Sequence, residues 1–372
     1  MTLGYDSGIF SQELNELTEL DDTKINNKTV TDGQVLAYNA TSKSWTNQTS
    51  TGGIPSYATR PVAPTTGLVI YNSTKGNIEL YNGIFWVEVS PNSFIFNIEY
   101  LVIAGGGSGG RSVTPQRGVG GGGAGGYRTN YATETSGGCG STESAKSITA
   151  GVSYSVTIGV GGASKTTDGQ GNNGLDSVFD NITAVGGGGG GANSGGVAGG
   201  SGGGGVKDPV TGGAGTANQG YAGGTGFDGG ASPFAGGGGG GAGALGGNAN
   251  SGNGGNGGAG VESSITGTPT YRGGGGGGGR TNTTSYTNFG SGGIGGGGGG
   301  SAGVAGTDGT GGGGGGAGSG NSGKGGDGIV ILRYPDTFTI SQSGGLTISS
   351  ETSAGGYKHV EITAGTGTIS FG

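Results

Sequence analysis

The chain is poor in most residues that carry chemistry. Among 372 residues there is one cysteine, Cys139, and one histidine, His359. A lone cysteine excludes an intrachain disulfide. A lone histidine excludes a metal site built on paired histidines. Proline is scarce, at 9 residues, so a collagen-like helix is excluded, since that also needs glycine at strictly every third position. Only 29% of residues are apolar, and no apolar run approaches the roughly 18 residues of a membrane span. The start, Met1-Thr-Leu-Gly-Tyr-Asp-Ser7, has neither the basic nor the apolar region of a secretory signal. Synthesis in a cytoplasm without export by that route is therefore expected. Net charge is −7, and no basic run resembles a nucleic-acid footprint.

What the chain does have is glycine, 107 residues of it. Residues 1–103 hold 8 and residues 329–372 hold 7, leaving 92 in the 225 residues of 104–328. The charge imbalance lies elsewhere: this stretch has 9 basic and 10 acidic residues. Unbroken runs occur at 186–191, 202–205, 236–241, 273–279, 295–300 and 311–316. Two readings compete, a flexible linker and an ordered packing of backbones. Apolar strands frame the runs, which a linker does not need. Residues 94–103 lead into Gly105, 153–158 into Gly159 and 178–185 into Gly186, and the last run leaves through 328–334.

Glycine can adopt the polyproline II helix, with three residues per turn and no internal hydrogen bonds. Its N–H and C=O groups must then find partners on neighbouring helices. Without a Cβ, such helices can approach closely enough to bond backbone to backbone. The three-fold pitch predicts side chains at every third position of an edge helix, as in Asn253-Gly-Gly-Asn256-Gly-Gly-Ala259. The expected fold class is mainly β and irregular, with almost no α-helix. Small N-terminal β modules precede a β-framed polyglycine-II helix sandwich.

Four segments are expected. Residues 1–30 form an attachment segment, in which Phe10, Leu14, Leu17 and Leu20 give a short helical stripe over 8–22. Residues 31–92 form two strand-rich modules. Each places an apolar strand ending in Tyr-Asn before a polar turn and a strand with a tryptophan, Trp45 or Trp86. Asn82-Gly83 between apolar runs is a hairpin signal. Modules this small gain stability by association, and a homotrimer is expected. Residues 93–334 form the sandwich, and 335–372 a C-terminal β-strand segment.

If helices run up and down from a strand base, the turns alternate between base and tip. By that count 111–117 and 280–289 fall at the tip, and 265–272 at the base. Loops on a rigid scaffold are the usual place for recognition. The candidate contact residues are Arg111, Gln116, Arg117, Arg280, Tyr286, Asn288 and Phe289. Near-matches to a phosphate-binding loop fail: Lys324 is followed by Gly325, where a Ser or Thr would ligate magnesium. Asp168, Asp176 and Asp180 do not have calcium-loop spacing. No cofactor, metal or catalytic residue is assigned.

The order of elements resembles the glycine-rich tail-fibre and receptor-binding adhesin proteins of tailed bacteriophages. The resemblance rests on Ile98-Glu-Tyr-Leu-Val-Ile-Ala-Gly-Gly-Gly107, Gly121-Gly-Gly-Ala-Gly-Gly-Tyr-Arg128, Ser153-Tyr-Ser-Val-Thr-Ile-Gly159 and Gly323-Lys-Gly-Gly-Asp-Gly-Ile-Val-Ile-Leu-Arg-Tyr334. The unit from Asp32 to Trp45 is similar to modules of marine, cyanophage-like fibres. The resemblance implies a non-enzymatic virion protein of the tail. Its partners would be a host outer-membrane protein or polysaccharide and, through the N-terminus, other tail proteins. A head or collar fibre is the second expectation, and a polysaccharide depolymerase the third.

Overall fold

The structure, a computed structural model, describes residues 34–39, 44–49, 56–57, 59–66, 68–72, 74, 77–81, 83–84, 86–89, 95–113, 118–206, 211–228, 230, 234–251, 253–281, 288–300 and 303–372. The helical stripe expected over 8–22 lies outside them. The described residues are all β or irregular, with no α-helix, as the fold class predicts. The chain divides into two compact units, 1–95 and 96–372.

Two groups of strands are described in the first unit. Strands Gln34–Asn39 and Ser44–Thr49 form an antiparallel hairpin with Tyr38 opposite Trp45. The second group is a four-stranded sheet in the order Ser56–Tyr57, Val69–Asn72, Asn77–Tyr81, Trp86–Val89. Its last turn has four residues rather than two, because Tyr81 pairs with Trp86. Gly83 sits in it at φ +98°, where a side chain is strained. The buried Glu79 carboxylate accepts both Arg60 Nε and Nη2, at 2.8 and 2.7 Å, and Asn72 Nδ2 at 3.0 Å. Burying that charge is tolerated because it is paired and hydrogen-bonded.

The second unit begins with a two-sheet base. One sheet has the order Ile182–Ala184, Ser177–Phe179, Tyr154–Thr157, Thr366–Phe371, Ile340–Gly344. The other runs Thr347–Ile348, Tyr357–Ala364, Ile329–Pro335, Ile95–Ile103, Tyr127–Thr129. Thr352–Ala354 and Lys146–Thr149 add to its flanks. Alternation along the central strands sorts their side chains between two cores. Ile98, Tyr100, Val102, Val330, Leu332 and Tyr334 join Tyr154, Val156, Phe179, Ile369 and Phe371 of the other sheet. Leu101, Ile103, Ile329 and Ile331 join Tyr127, Ala242 and Ile265 on the opposite face. Burial on both faces explains why these strands read as continuous apolar runs. Residues 335–372, set apart in the sequence reading, supply strands to both sheets.

Beyond the base the glycine runs form a lattice. Run 104–110 shows its rule. Its N–H groups take three directions in turn: Gly105 and Ser108 donate to Leu175 and Asn172, Gly106 and Gly109 to Gly326 and Gly323, Gly107 and Gly110 to Gly123 and Gly120. These bonds are 2.8–3.0 Å long. Its carbonyls accept from three further runs, through Gly162, Gly187 and Gly190, and Gly314 and Ala317. Six neighbours thus surround one helix, two per residue of the three-residue turn. Run 118–126 is enclosed in the same way, by 104–110, 186–192, 201–206, 236–241, 273–279 and 311–317.

At the inner glycines the spacing leaves no room for a side chain. A Cβ at Gly122 would lie 2.1 Å from the Gly107 carbonyl oxygen, and one at Gly239 would lie 1.9 Å from that of Gly122. At the lattice edge the three-residue pattern holds. Asn253 and Asn256 are exposed, while Gly254, Gly255 and Gly258 are buried.

Candidate functional site

The runs alternate in direction. Strand Ile95–Ile103 leaves the base and 104–110 carries the chain away from it, so Arg111 stands at the far end. Run 118–126 returns to the base strand Tyr127–Thr129. The same alternation brings Ile265 down to the lower core, beside Leu101 and Ile103, and sends Arg280 up to the far end. The turns there are where the chain escapes the requirement for glycine, because the lattice no longer surrounds it.

The far end is organised around Val119, which is fully buried. Val119 bridges Gly279, and Arg111 bridges both Gly169 and Ala317. The Arg111 guanidinium donates from Nη1 to Asp168 Oδ1 at 2.6 Å and from Nε to the Gly320 carbonyl at 2.6 Å. Asp168 also accepts the Val113 N–H, at 3.2 Å. One arginine thus ties three turns together through two of its five N–H donors. Nearby, Phe227–Asp228, Phe234–Ala235 and Arg280–Thr281 form a small antiparallel sheet. Phe234 and Arg280 are buried within this end.

The structure therefore divides the candidate residues. Arg111 and Arg280 are at the far end but are largely enclosed. Asn288 is exposed at φ +71°, a left-handed backbone that asparagine adopts more readily than most residues. Its carbonyl accepts the Gly254 N–H. Phe289 is half-buried. Gln116, Arg117 and Tyr286 lie outside the described residues. Val113, half exposed beside Arg111, and Asp168 were missed by the sequence reading. Counting turns would have placed Asp168 at the same end as Arg111, since run 159–163 rises from the base and 170–176 returns to it.

The glycine-rich domain family matches residues 83–335. The chain belongs to that family. The match takes in the whole lattice and the central base strands Ile95–Ile103 and Ile329–Pro335. The strands of 340–371, which complete both sheets, lie beyond it. No curated protein matches the chain. Among the described residues, no helix is long and apolar enough to cross a membrane.

Proposed function

We propose that this chain is a bacteriophage tail fibre or tail-tip adhesin, a non-enzymatic virion protein. It binds a host cell-surface receptor, an outer-membrane protein or polysaccharide, through the turns at the far end of the lattice. The N-terminal segment attaches it to other tail proteins, and the chain works as a homotrimer. One observation supports this reading: the inner glycines of the lattice have backbone where a Cβ would go, while the described non-glycine residues Arg111, Ser112 and Val113, Phe227 and Asp228, Phe234 and Ala235, and Arg280 and Thr281 stand at one end. Such turns can change without disturbing the support, which is what a recognition surface under changing demands requires.

The test is an exchange of turns. Replacing 112–117 and 282–289 by the corresponding turns of a relative with another host is expected to transfer adsorption to that host. Unchanged adsorption would show that these turns do not bind the receptor. The second reading, a head or collar fibre that is only a stiff spacer, is favoured by the engagement of Arg111 in holding the end together. Electron microscopy of labelled virions separates the two, since a capsid location sinks the tail reading. Light scattering after size-exclusion chromatography checks the trimer; a monomer mass would overturn it.

A further inference from the structure

At the other end of the lattice, where the base begins, lies a groove of about 650 Å³. It is built from elements far apart in the chain: strand Tyr127–Thr129, the segment 141–146, the hairpin around Asn181 and the turn 217–219. A smaller groove of about 330 Å³ adjoins it and shares Thr142, Glu143 and Ala145. A volume of this size suits a small ligand.

The floor is charged but internally neutral. Glu143 accepts Arg128 Nε at 2.8 Å and Nη2 at 2.6 Å, and also Tyr100 Oη at 2.9 Å and Ser136 Oγ at 3.2 Å. The remaining lining charge, Lys146, is paired with Asp180 and donates to Asn181 Oδ1 at 3.0 Å. No cation is left over for a phosphate or carboxylate, and no carboxylate for a cationic ligand. The rim consists of exposed hydroxyl and amide side chains: Ser141, Ser144, Asn181 and Asn218. Each such group both donates and accepts. No large exposed apolar residue lines the groove, which argues against a lipid.

The backbone around the groove is unusual. Among the described residues, five non-glycine residues have positive φ: Ala132, Cys139, Asp180, Asn218 and Asn288. Asn218 lines the groove, Asp180 holds its lysine, and Ala132 lines the adjoining groove. A chain with 107 glycines uses side-chain-bearing residues in left-handed conformations here. Asparagine and aspartate take this backbone readily, so of the three only Ala132 is costly, and strained backbone of that kind is found at sites that bind ligands.

The geometry points to a second binding site, for a neutral saccharide of one to three units. A ring of hydroxyl and amide groups over a neutralised floor matches a ligand whose own hydroxyls donate and accept and carry no charge. This site is at the base end and is separate from the turns proposed to meet a receptor.

Saturation-transfer NMR on the full chain tests it, with maltotriose, cellotriose and N-acetylchitotriose as neutral probes and a galacturonic acid trimer as the anionic one. Transfer to at least one neutral probe and none to the anionic probe is expected. The triple variant S141A/S144A/N218G, in which glycine keeps the left-handed backbone, is expected to weaken binding about tenfold or more. Ala145→Trp fills the groove from an exposed position and is expected to abolish transfer; a thermal melt checks that each variant is folded. No transfer to any neutral probe, a preference for the anionic probe, or undiminished binding by a folded variant overturns the proposal. Host adsorption measured with the exchanged far-end turns is independent of all these outcomes.

Discussion

Strand Ile329–Pro335 and run 104–110 are both almost wholly buried, yet they are held by different physics. In the strand, side chains alternate between two apolar cores, and backbone bonds run sideways to two partners. In the run there are almost no side chains, and backbone bonds point to six partners. The base is stabilised chiefly by removing apolar surface from water. The lattice gains from hydrogen bonds, each of modest net value, set against glycine's large loss of conformational freedom. Only a dense, cooperative network can meet that cost. The comparison teaches that burial does not require hydrophobicity where every backbone group finds a partner.

The contrast can be broken by opposite operations, because the lattice is intolerant of added atoms and the base of removed ones. Gly122→Ala is expected to have the largest effect. Its Cβ meets backbone at 2.1 Å, and the runs around it cannot move independently. A loss of about 5 kcal/mol or more, or failure to fold, is expected. Gly345→Ala is the control, since nothing lies within 4 Å of that position. Denaturant unfolding reads both, and equal effects would refute the packing argument. Next comes Leu332→Ala in the base. Leu332 is fully buried, and deletion of such a side chain costs about 2–5 kcal/mol.

Alkaline pH offers a subtler separation. Burial, and then hydrogen bonds to Glu143 and Glu351, push the Tyr100 and Tyr334 hydroxyls above the ordinary tyrosine range. Below the unfolded value near 10 both states hold these protons, and the stabilisation is complete. As pH rises above about 10, the unfolded chain releases them first and stability falls. The unfolding midpoint between pH 9 and 11.5 is therefore expected to drop. The double variant Tyr100→Phe/Tyr334→Phe should flatten that drop, and an unchanged slope would exclude these residues as its source. Among the described residues, the glycine runs enclosed in the lattice, such as 104–110 and 118–126, have no ionisable side chain to respond in this way. The smallest effect concerns its edge. Asn256 Oδ1 accepts the Ser291 N–H at 2.9 Å, so Asn256→Ala is expected to cost about 1 kcal/mol, read by thermal melting.

Much of this architecture was legible from residue order. The runs, the strands framing them and the spacing at Asn253 and Asn256 follow from period alone, because three-fold and two-fold repeats leave different marks. The tip turns were legible only as positions. That Arg111 would be spent on Asp168 and Gly320 depends on which turns the lattice places side by side. The role of 340–371 was hidden for a similar reason. An alternating strand announces that it will pair, but not with which strand. The groove beside Glu143 left no mark in the sequence beyond asparagine and aspartate in turns, since its walls come from four separated segments.

The sequence by itself determined the building material. A stretch with 92 glycines in 225 residues cannot form an apolar core, and its framing strands fix where the lattice starts and stops. Only the tertiary structure decided which runs are neighbours, which turns share the far end, and which charges cancel. The physical reason is that glycine carries no side chain to encode a partner. Every run offers the same N–H and C=O groups, so the choice among them is made by the strands and turns to which each run is tied.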